Sequence, residues 1–304
     1  MRPLELGFVL PTVGLPINDG FSNWNAIRSL ASEAEEIGFD TLWLPDELLW
    51  KFPPDFVPMG TWECVAMASA VAAVTESVTV GTWVLSALHR NPGLTVKVAE
   101  AIDEISNGRF LFGLGAGHSG NQGKAFGYPP DKTVGRYEEA LEIIVPLLRE
   151  GEVTYEGEYY SAFEQNNTPR GPQREHMRLM LAGHGPRTIG LAVRHADIWS
   201  AYATSSSLPD AFVELLDLAE RTCDEQGRDP ESLGKSVGVF LEPSNQGMTE
   251  GMGLGDPIVG TPSEVAERIH EFARMGVTML ELAPVPLEES TMGFMAELIE
   301  ALDG

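Results

Sequence analysis

The chain has 304 residues, of which 43% are hydrophobic, and its 20 basic and 45 acidic residues give a net charge of −25. Nucleic acids and anionic membranes bind basic protein surfaces, so this charge argues against both as partners. No apolar run reaches the roughly 20 residues that cross a bilayer, and the N-terminus lacks the pattern of a secretory signal. Two cysteines, Cys64 and Cys223, are too few for a disulfide framework. We therefore expect a cytoplasmic protein with buried, inert thiols.

Short apolar runs alternate with amphipathic stretches along the whole chain. The pattern predicts strands over residues 4–10, 41–44, 78–85, 110–114, 177–181, 197–201, 236–241 and 277–282. It predicts helices over residues 24–37, 62–74, 92–105, 134–149, 186–195, 210–225, 262–274 and 289–302. A hairpin with a tight turn at Glu156–Gly157 interrupts this rhythm over residues 153–160.

Strict alternation of strand and helix indicates a parallel sheet, and eight repeats match a closed barrel better than an open, doubly wound sheet. No linker or shift in composition divides the chain. We therefore predict an α/β fold, a (β/α)8 TIM barrel with insertion segments at its C-terminal face, in which residues 1–304 form a single domain.

Active sites of such barrels lie where the strands end and the loops to the helices begin. After the second predicted strand, Asp46 and Glu47 place two adjacent carboxylates at this position. They could serve as an acid/base pair or as cation ligands. The alternative interpretation, with equal weight, is that Asp46 caps the next turn while Glu47 faces water.

The third predicted strand contains Gly81, and a glycine inside a strand indicates a bulge or a close approach of the backbone, for example beside a flat ring. His89 and Arg90 follow this strand and could contact a ligand. The segment 90–92 precedes a predicted helix, however, and a role in capping and positioning that helix is favoured for it.

Two glycine-rich loops follow the fourth and fifth predicted strands. Glycine alternates with other residues over 113–117, which frees the backbone to approach a ligand and offers N–H groups to an anion. The segment 182–186 leads directly into a helix N-terminus, which suits a phosphate, although a plain tight turn is the alternative. Neither loop has the setting of a dinucleotide fingerprint.

Other kinds of site find little support in the sequence. No His-x-His or Cys-x-x-Cys pair indicates zinc, so we predict no metal. No Gly-x-Ser-x-Gly motif indicates a hydrolase, and no lysine falls at the interior end of a strand as a Schiff-base aldolase requires.

Taken in order, these segments resemble the bacterial luciferase-like family of flavin- and deazaflavin-dependent oxidoreductases. The matching stretches are GFDTLWLPD (38–46), VGTWV (80–84), RNP (90–92), SNGRFLFGLGAG (106–117), AFGY (125–128), RYEEALEI (136–143), LAGHGP (181–186), GTPSEVAER (260–268) and MGV (275–277). Each stretch is weak by itself, but the ordered series spans nearly the whole chain and is specific.

The resemblance implies that a cofactor ring lies across the C-terminal end of the barrel. It implies that the backbone at Trp83–Val84 supports the ring, often through a non-prolyl cis peptide, and that Asp46 contacts the polar edge of the ring. The remaining residues that it implies for the ring, its side chain and its phosphate are Gly115, Ala116, Gly117, Asn121, Ala182, Gly183, His184 and Gly185.

Two positions depart from the family pattern and leave the proton donor open. Many deazaflavin relatives carry histidine where this chain has Glu47, and His118 stands where relatives often have tryptophan or an acid. We expect Glu47 or His118 to be the proton donor, because both residue types transfer protons near neutral pH when suitably placed. Trp50 is expected to form a wall of the substrate pocket.

The stretch 113–143 resembles deazaflavin-using members more than the monooxygenases that use FMN. The resemblance therefore implies coenzyme F420 as cofactor and hydride transfer to or from a small organic substrate. An FMN-dependent monooxygenase is the main alternative, and a sugar-phosphate isomerase or aldolase and a non-catalytic flavin-binding protein are the others. The resemblance also implies a homodimer. The loops 46–59 and 242–260 are interpreted either as an apolar lid or as packed surface loops.

Overall fold

Eight parallel strands form a closed barrel at the centre of the molecule. The computed structural model describes residues 2–13, 16–17, 20–21, 23–50, 59–117, 120–129, 131–243, 247, 254–285, 287 and 290–304. The barrel strands, β1 to β8 in chain order, are Glu5–Val9, Thr41–Leu44, Thr79–Thr82, Phe110–Gly115, Leu179–Ala182, Ile198–Tyr202, Gly234–Leu241 and Met279–Pro284. Each strand pairs in parallel with the next, and β8 closes the barrel on β1, with Leu282 opposite Phe8. The predicted (β/α)8 TIM barrel is therefore confirmed.

Helices connect the strands and cover the outside of the barrel. Within the described ranges, α1 to α9 are Trp24–Ile37, Cys64–Val74, Pro92–Ile105, Gly120–Phe126, Thr133–Arg149, Pro186–His195, Val213–Gln226, Pro262–Arg274 and Thr291–Asp303. Local signals set several of these ends: the Asn91 side chain accepts the N–H groups of Gly93 and Leu94 at the start of α3. The sequence predicts neither the short helix α4 nor the start of α2 at Cys64, two residues later than expected.

A β-hairpin is inserted between α5 and β5. Its antiparallel strands are Glu152–Glu156 and Ser161–Asn166, so the hairpin and its first strand agree with the prediction. Residues 158–160, expected in the second strand, instead belong to the connection, which spans 157–160. The tip of the hairpin lies against the start of α5, where the Glu139 carboxylate accepts the N–H groups of Glu158, Tyr159 and Tyr160. The hairpin therefore reaches the same end of the barrel as the loops that follow the strands.

The apolar core has two parts, one between the strands and the helices and one inside the barrel. The inner part consists of Val9, Trp43, Leu111, Met180, Ile198, Met279 and Ala283, with Trp83, Val84 and Phe240 packed against it. Glycines make room for the Trp43 indole: a Cβ at Gly7 would lie 2.1 Å from Nε1, and one at Gly81 would lie 2.2 Å from Cζ3. The flat ring beside Gly81 is thus an indole of the chain itself.

The sequence also gives expectations for the two cysteines and for membrane-spanning helices. Cys64 in α2 and Cys223 in α7 are both free and buried, as predicted. Among the described residues, no helix combines the length and the apolar character that a membrane span requires.

Candidate active site

We call the C-terminal end of the barrel the mouth. The third strand is interrupted there. The sequence predicts a strand over 78–85 and, from Gly81, a bulge or a close backbone approach within it; the structure shows the interruption just beyond Gly81, because β3 ends at Thr82 and a short strand at Leu85–Ser86 then pairs with β4. Between them lies the Trp83–Val84 peptide, which is cis, as the resemblance implied. We call residues 82–86 the bulge.

The alternating glycines of β4 and its loop accommodate this bulge. A Cβ at Gly113 would lie 1.9 Å from the carbonyl oxygen of Thr82, and one at Gly115 would lie 2.9 Å from Cγ2 of Val84. At Gly117, where φ is +74°, a Cβ would lie 2.0 Å from the Ser86 hydroxyl oxygen. The side on which each of these glycines lacks a Cβ is therefore filled by the bulge, and an approach of their backbone to a ligand stays a prediction.

Two side chains of the bulge itself, Trp83 and Thr82, hold it in place against other strands of the barrel. The Trp83 indole points into the barrel, where a Cβ at Gly238 of β7 would lie 2.3 Å from its Cζ2 atom. The Thr82 hydroxyl donates a hydrogen bond to the Gly113 carbonyl at 2.8 Å and accepts the N–H of the same residue at 3.1 Å. The floor of the mouth is therefore packed on both sides against the backbone of glycines. These residues have no side chain that could move aside.

Asp46 lies in a buried ion pair with Arg90. Nη1 and Nη2 of Arg90 contact Oδ2 and Oδ1 of Asp46 at 2.7 and 3.0 Å, and the Ser86 N–H donates to Oδ2 at 2.9 Å. His89 Nδ1 lies 3.2 Å from Oδ2. Burial alone would raise the pKa of Asp46, but the hydrogen bonds from His89 and Arg90 outweigh it and lower the pKa to about 2.

The Asp46 side chain is 0% exposed, and Arg90 and the Ser86 N–H donate to its oxygens, so the carboxylate holds the loop that follows β3. A contact between Asp46 and the polar edge of a cofactor ring stays a prediction. The capping interpretation of the segment 90–92 holds for Asn91, whereas Arg90 turns inward and also contacts Glu63, the N-cap of α2. The Asp46–Arg90 pair was missed, although opposite charges at the ends of two neighbouring strands are a signal that could have indicated it.

Glu47 and Tyr202 lie at the C-terminal ends of two strands on opposite sides of the barrel. Glu47 follows β2 and is partly exposed, and its backbone carbonyl accepts the Thr61 hydroxyl. Tyr202 ends β6 and is half-exposed; burial and the negative charge of Glu47 both raise its pKa. The structure thus places one of the two candidate proton donors within electrostatic reach of a phenol at the mouth.

The other predicted residues of this region are only partly described. Trp50 belongs to a two-residue strand, Leu49–Trp50, that pairs with Met59–Gly60, but its side chain lies outside the described residues. Asn121 lies in α4, and its side chain is likewise outside them. His118 and most of the two predicted lid loops also lie outside the described residues.

The loop after β5 forms an open helix N-terminus. Gly183 donates its N–H to the Ser200 carbonyl at 3.0 Å, and the Thr188 side chain occupies the space beside it. The His184 ring packs edge-on against Tyr202 at 4.6 Å, with Nε2 2.9 Å from the Tyr202 carbonyl oxygen. Gly185 is the N-cap of α6, and a Cβ there would meet nothing within 4 Å. Space for an anion therefore exists at this N-terminus.

Eight parallel strands closed into a barrel, with a bulged third strand beneath the mouth, place the chain in the TIM-barrel class of proteins. The family model for the luciferase-like monooxygenases matches residues 4–242. The chain therefore belongs to the luciferase-like monooxygenase family and is an enzyme. The resemblance inferred from the sequence is confirmed.

Individual relatives agree with this membership. The chain is 28% identical over 279 residues to the F420-dependent glucose-6-phosphate dehydrogenase of Microbacterium testaceum (strain StLB037), covering 89% of this chain and 79% of that protein. It is 26% identical over 220 residues to a phthiodiolone/phenolphthiodiolone dimycocerosates ketoreductase of Mycobacterium sp. (strain JLS), covering 66% of this chain and 57% of that protein, less than two thirds of its length. The solved structure of an F420-dependent secondary alcohol dehydrogenase with an F420–acetone adduct has the same fold, with a TM-score of 0.82, 16% identity and 99% coverage of both chains.

Proposed function

We propose that this protein is a coenzyme F420-dependent oxidoreductase that transfers hydride between the deazaflavin and a small organic substrate. The observation that carries the proposal is the similarity over 89% of the chain to an F420-dependent dehydrogenase. A monooxygenase that uses reduced FMN and oxygen is the second candidate, and the description of the family as luciferase-like monooxygenases favours it.

The residues at the mouth fit such a cofactor. The bulge offers uncharged, partly exposed residues at Trp83–Val84, which packing against Gly238 and Gly115 keeps in place. The N-terminus of α6 offers open space at Gly185 and the positive end of a helix dipole, which together suit a phosphate. The residues proposed to hold the ring, its side chain and its phosphate are Trp83, Val84, Gly115, Ala116, Gly117, Asn121, Ala182, Gly183, His184 and Gly185.

When bound, the deazaflavin would supply a carbon that accepts or donates hydride and that does not activate oxygen. The bulge would fix the plane of the ring, so that the reacting carbon and the substrate meet in one orientation. Glu47 is the described residue proposed to exchange a proton with the substrate oxygen, and His118 is the alternative. Asp46 is assigned a different role, because a carboxylate with a pKa near 2 stays ionised and holds Arg90 and His89 in position.

Further features of the protein are part of the proposal. We propose that residues 1–304 form one domain, that the protein is a cytoplasmic homodimer, and that Trp50 borders the substrate pocket. These features rest on the sequence pattern and on the family resemblance.

A paired titration tests the cofactor. The purified protein is titrated with coenzyme F420 and, separately, with FMN, and binding is followed by fluorescence. We expect saturable binding of F420, weaker binding of FMN, and turnover that does not consume oxygen. Preference for FMN together with oxygen consumption would establish the monooxygenase instead, and binding of neither cofactor would overturn both candidates.

A further inference from the structure

A carboxyl group is buried inside the barrel, below the bulge. Glu281 lies in β8 and is 0% exposed. Met279 and Ala283, two residues to either side, belong to the inner core, and because side chains alternate along a strand, Glu281 points to the same interior. The Ser236 hydroxyl donates a hydrogen bond to Oε1 of Glu281, while Oε2 has no hydrogen-bond partner.

The strand register places Gly7 between this carboxyl group and Thr41. Glu281 pairs with Gly7 of β1, and Gly7 pairs with Thr41 of β2 on its other side. Gly7 has no side chain, so no side chain of β1 lies between Glu281 and Thr41 at this level of the barrel. The Nε1 edge of the Trp43 indole enters this space, 2.1 Å from the position that a Cβ of Gly7 would occupy.

Three buried polar atoms without partners belong to residues that are neighbours of Gly7. Among the described residues, Oγ1 of Thr41, Nε1 of Trp43 and Oε2 of Glu281 each lack a hydrogen bond. A buried polar group without a partner loses the hydrogen bonds that water gave it in the unfolded chain, so three such groups around one glycine are unfavourable unless something joins them. Buried water usually makes about three hydrogen bonds to such groups.

We infer that one buried water molecule lies beside Gly7 and the Trp43 indole, held by Thr41, Trp43 and Glu281. The donors and acceptors balance when Glu281 carries its proton. The water oxygen accepts the Trp43 N–H and the Glu281 O–H, and one water hydrogen is donated to Thr41 Oγ1. Burial supports this protonation state, because it raises the pKa of Glu281 to about 8 despite the hydrogen bond from Ser236.

The site has a structural consequence for the mouth. Gly238, which pairs with Glu281 on the side away from Gly7, is the glycine against which Trp83 packs. The water and the protonated acid therefore fill the layer directly beneath the bulge. This inference is independent of the cofactor proposed for the enzyme.

A high-resolution crystal structure of the full chain tests the site directly. We expect a solvent peak within hydrogen-bond distance of the three atoms, retained in Glu281→Gln, whose amide still donates and accepts, and lost in Glu281→Leu. Absence of the peak in the wild type, or a direct contact between Trp43 Nε1 and Glu281, would overturn the inference.

A double-mutant cycle gives a second test in solution. Thr41→Val and Glu281→Leu each remove one water ligand, so we expect their combined loss of Tm to fall short of the sum by about 2 °C or more. Thr12→Val is the matched control, because Thr12 is also buried with an unpartnered Oγ1 but lies five residues beyond Gly7 along the chain. Its loss of Tm should add to that of Glu281→Leu. Additivity in both cycles would contradict a shared water. If Glu281→Leu does not fold, Glu281→Gln alone decides, through its solvent peak.

Discussion

The carboxylate of Asp46 and the guanidinium of Arg90 form a two-point ion pair, with distances of 2.7 and 3.0 Å, that joins the ends of β2 and β3. Asp46 is fully buried and Arg90 is 12% exposed, so water screens the pair weakly. Removing one partner would leave the other charge buried and unpaired. The pair is therefore a structural requirement of the mouth.

Arg90→Gln is expected to destabilise the protein by about 3–5 kcal/mol, the usual cost of breaking a buried pair on one side. Urea unfolding at neutral pH measures this cost. The control is Arg268→Gln, which breaks an exposed contact with Glu271 and should change stability by less than about 0.5 kcal/mol. Equal effects of the two substitutions would show that the Asp46–Arg90 pair is not important for stability.

Gly113→Ala is expected to disturb the bulge, because the new Cβ would lie 1.9 Å from the backbone oxygen of Thr82. We predict a loss of about 1–3 kcal/mol or more in stability, and at least a tenfold loss in affinity for F420. Gly293→Ala in α9, where a Cβ meets nothing within 4 Å, is the control and should raise stability by up to about 1 kcal/mol. Unchanged F420 affinity in a folded Gly113→Ala protein would show that the bulge is not part of the cofactor site.

The buried acid Glu281 should make stability depend on pH. Its pKa is raised from an ordinary value of 4.5 to about 8, so between these values the folded protein binds one proton more than the unfolded chain. Its contribution is therefore full below about pH 4.5 and is lost as the pH rises through 8. We expect the unfolding free energy of the wild type to fall by a few kcal/mol between about pH 5 and pH 8.5, and Glu281→Gln to remove this part. The exposed Glu104→Gln should keep the wild-type slope.

Glu47→Gln is expected to slow the reaction without weakening the cofactor, because an amide cannot exchange a proton with the substrate. We predict a loss of about 10²–10⁴ in kcat, with F420 affinity within about twofold of the wild type. Single-turnover rates, measured once a substrate is known, check this, and Glu104→Gln should behave as the wild type. An unchanged rate in Glu47→Gln would contradict the role of Glu47 as proton donor and leave His118 as the candidate.

The two thiols are expected to resist modification in the folded protein. Burial raises the pKa of both Cys64 and Cys223, and the Cys64 Sγ lies 3.3 Å from the Leu44 carbonyl oxygen. A thiol reagent should therefore label neither residue in native buffer and both in denaturant. Rapid labelling of the native protein would show that one of the helices α2 and α7 opens readily.

Local signals in the sequence determined most of the elements. Helices α1, α3, α6 and α8 have the predicted bounds, because their ends depend on caps, prolines and glycines within a few residues. Such signals act over one helical turn, so they can be recognised without knowing the neighbouring strands. Alternation of strand and helix then limited the fold to a parallel barrel.

The tertiary structure alone decided which contacts the residues at the strand ends make. Gly113 and Thr82 are 31 residues apart, and Arg90 and Asp46 are 44 apart, so neither contact follows from local pattern. Strand pairing places each β4 glycine beside the bulge and each of these charges beside the other, and the same register sets Glu281 next to Gly7. The sequence therefore determined which residues lie near the mouth, whereas burial and register between strands decided which of them are exposed there and which are packed inside the barrel.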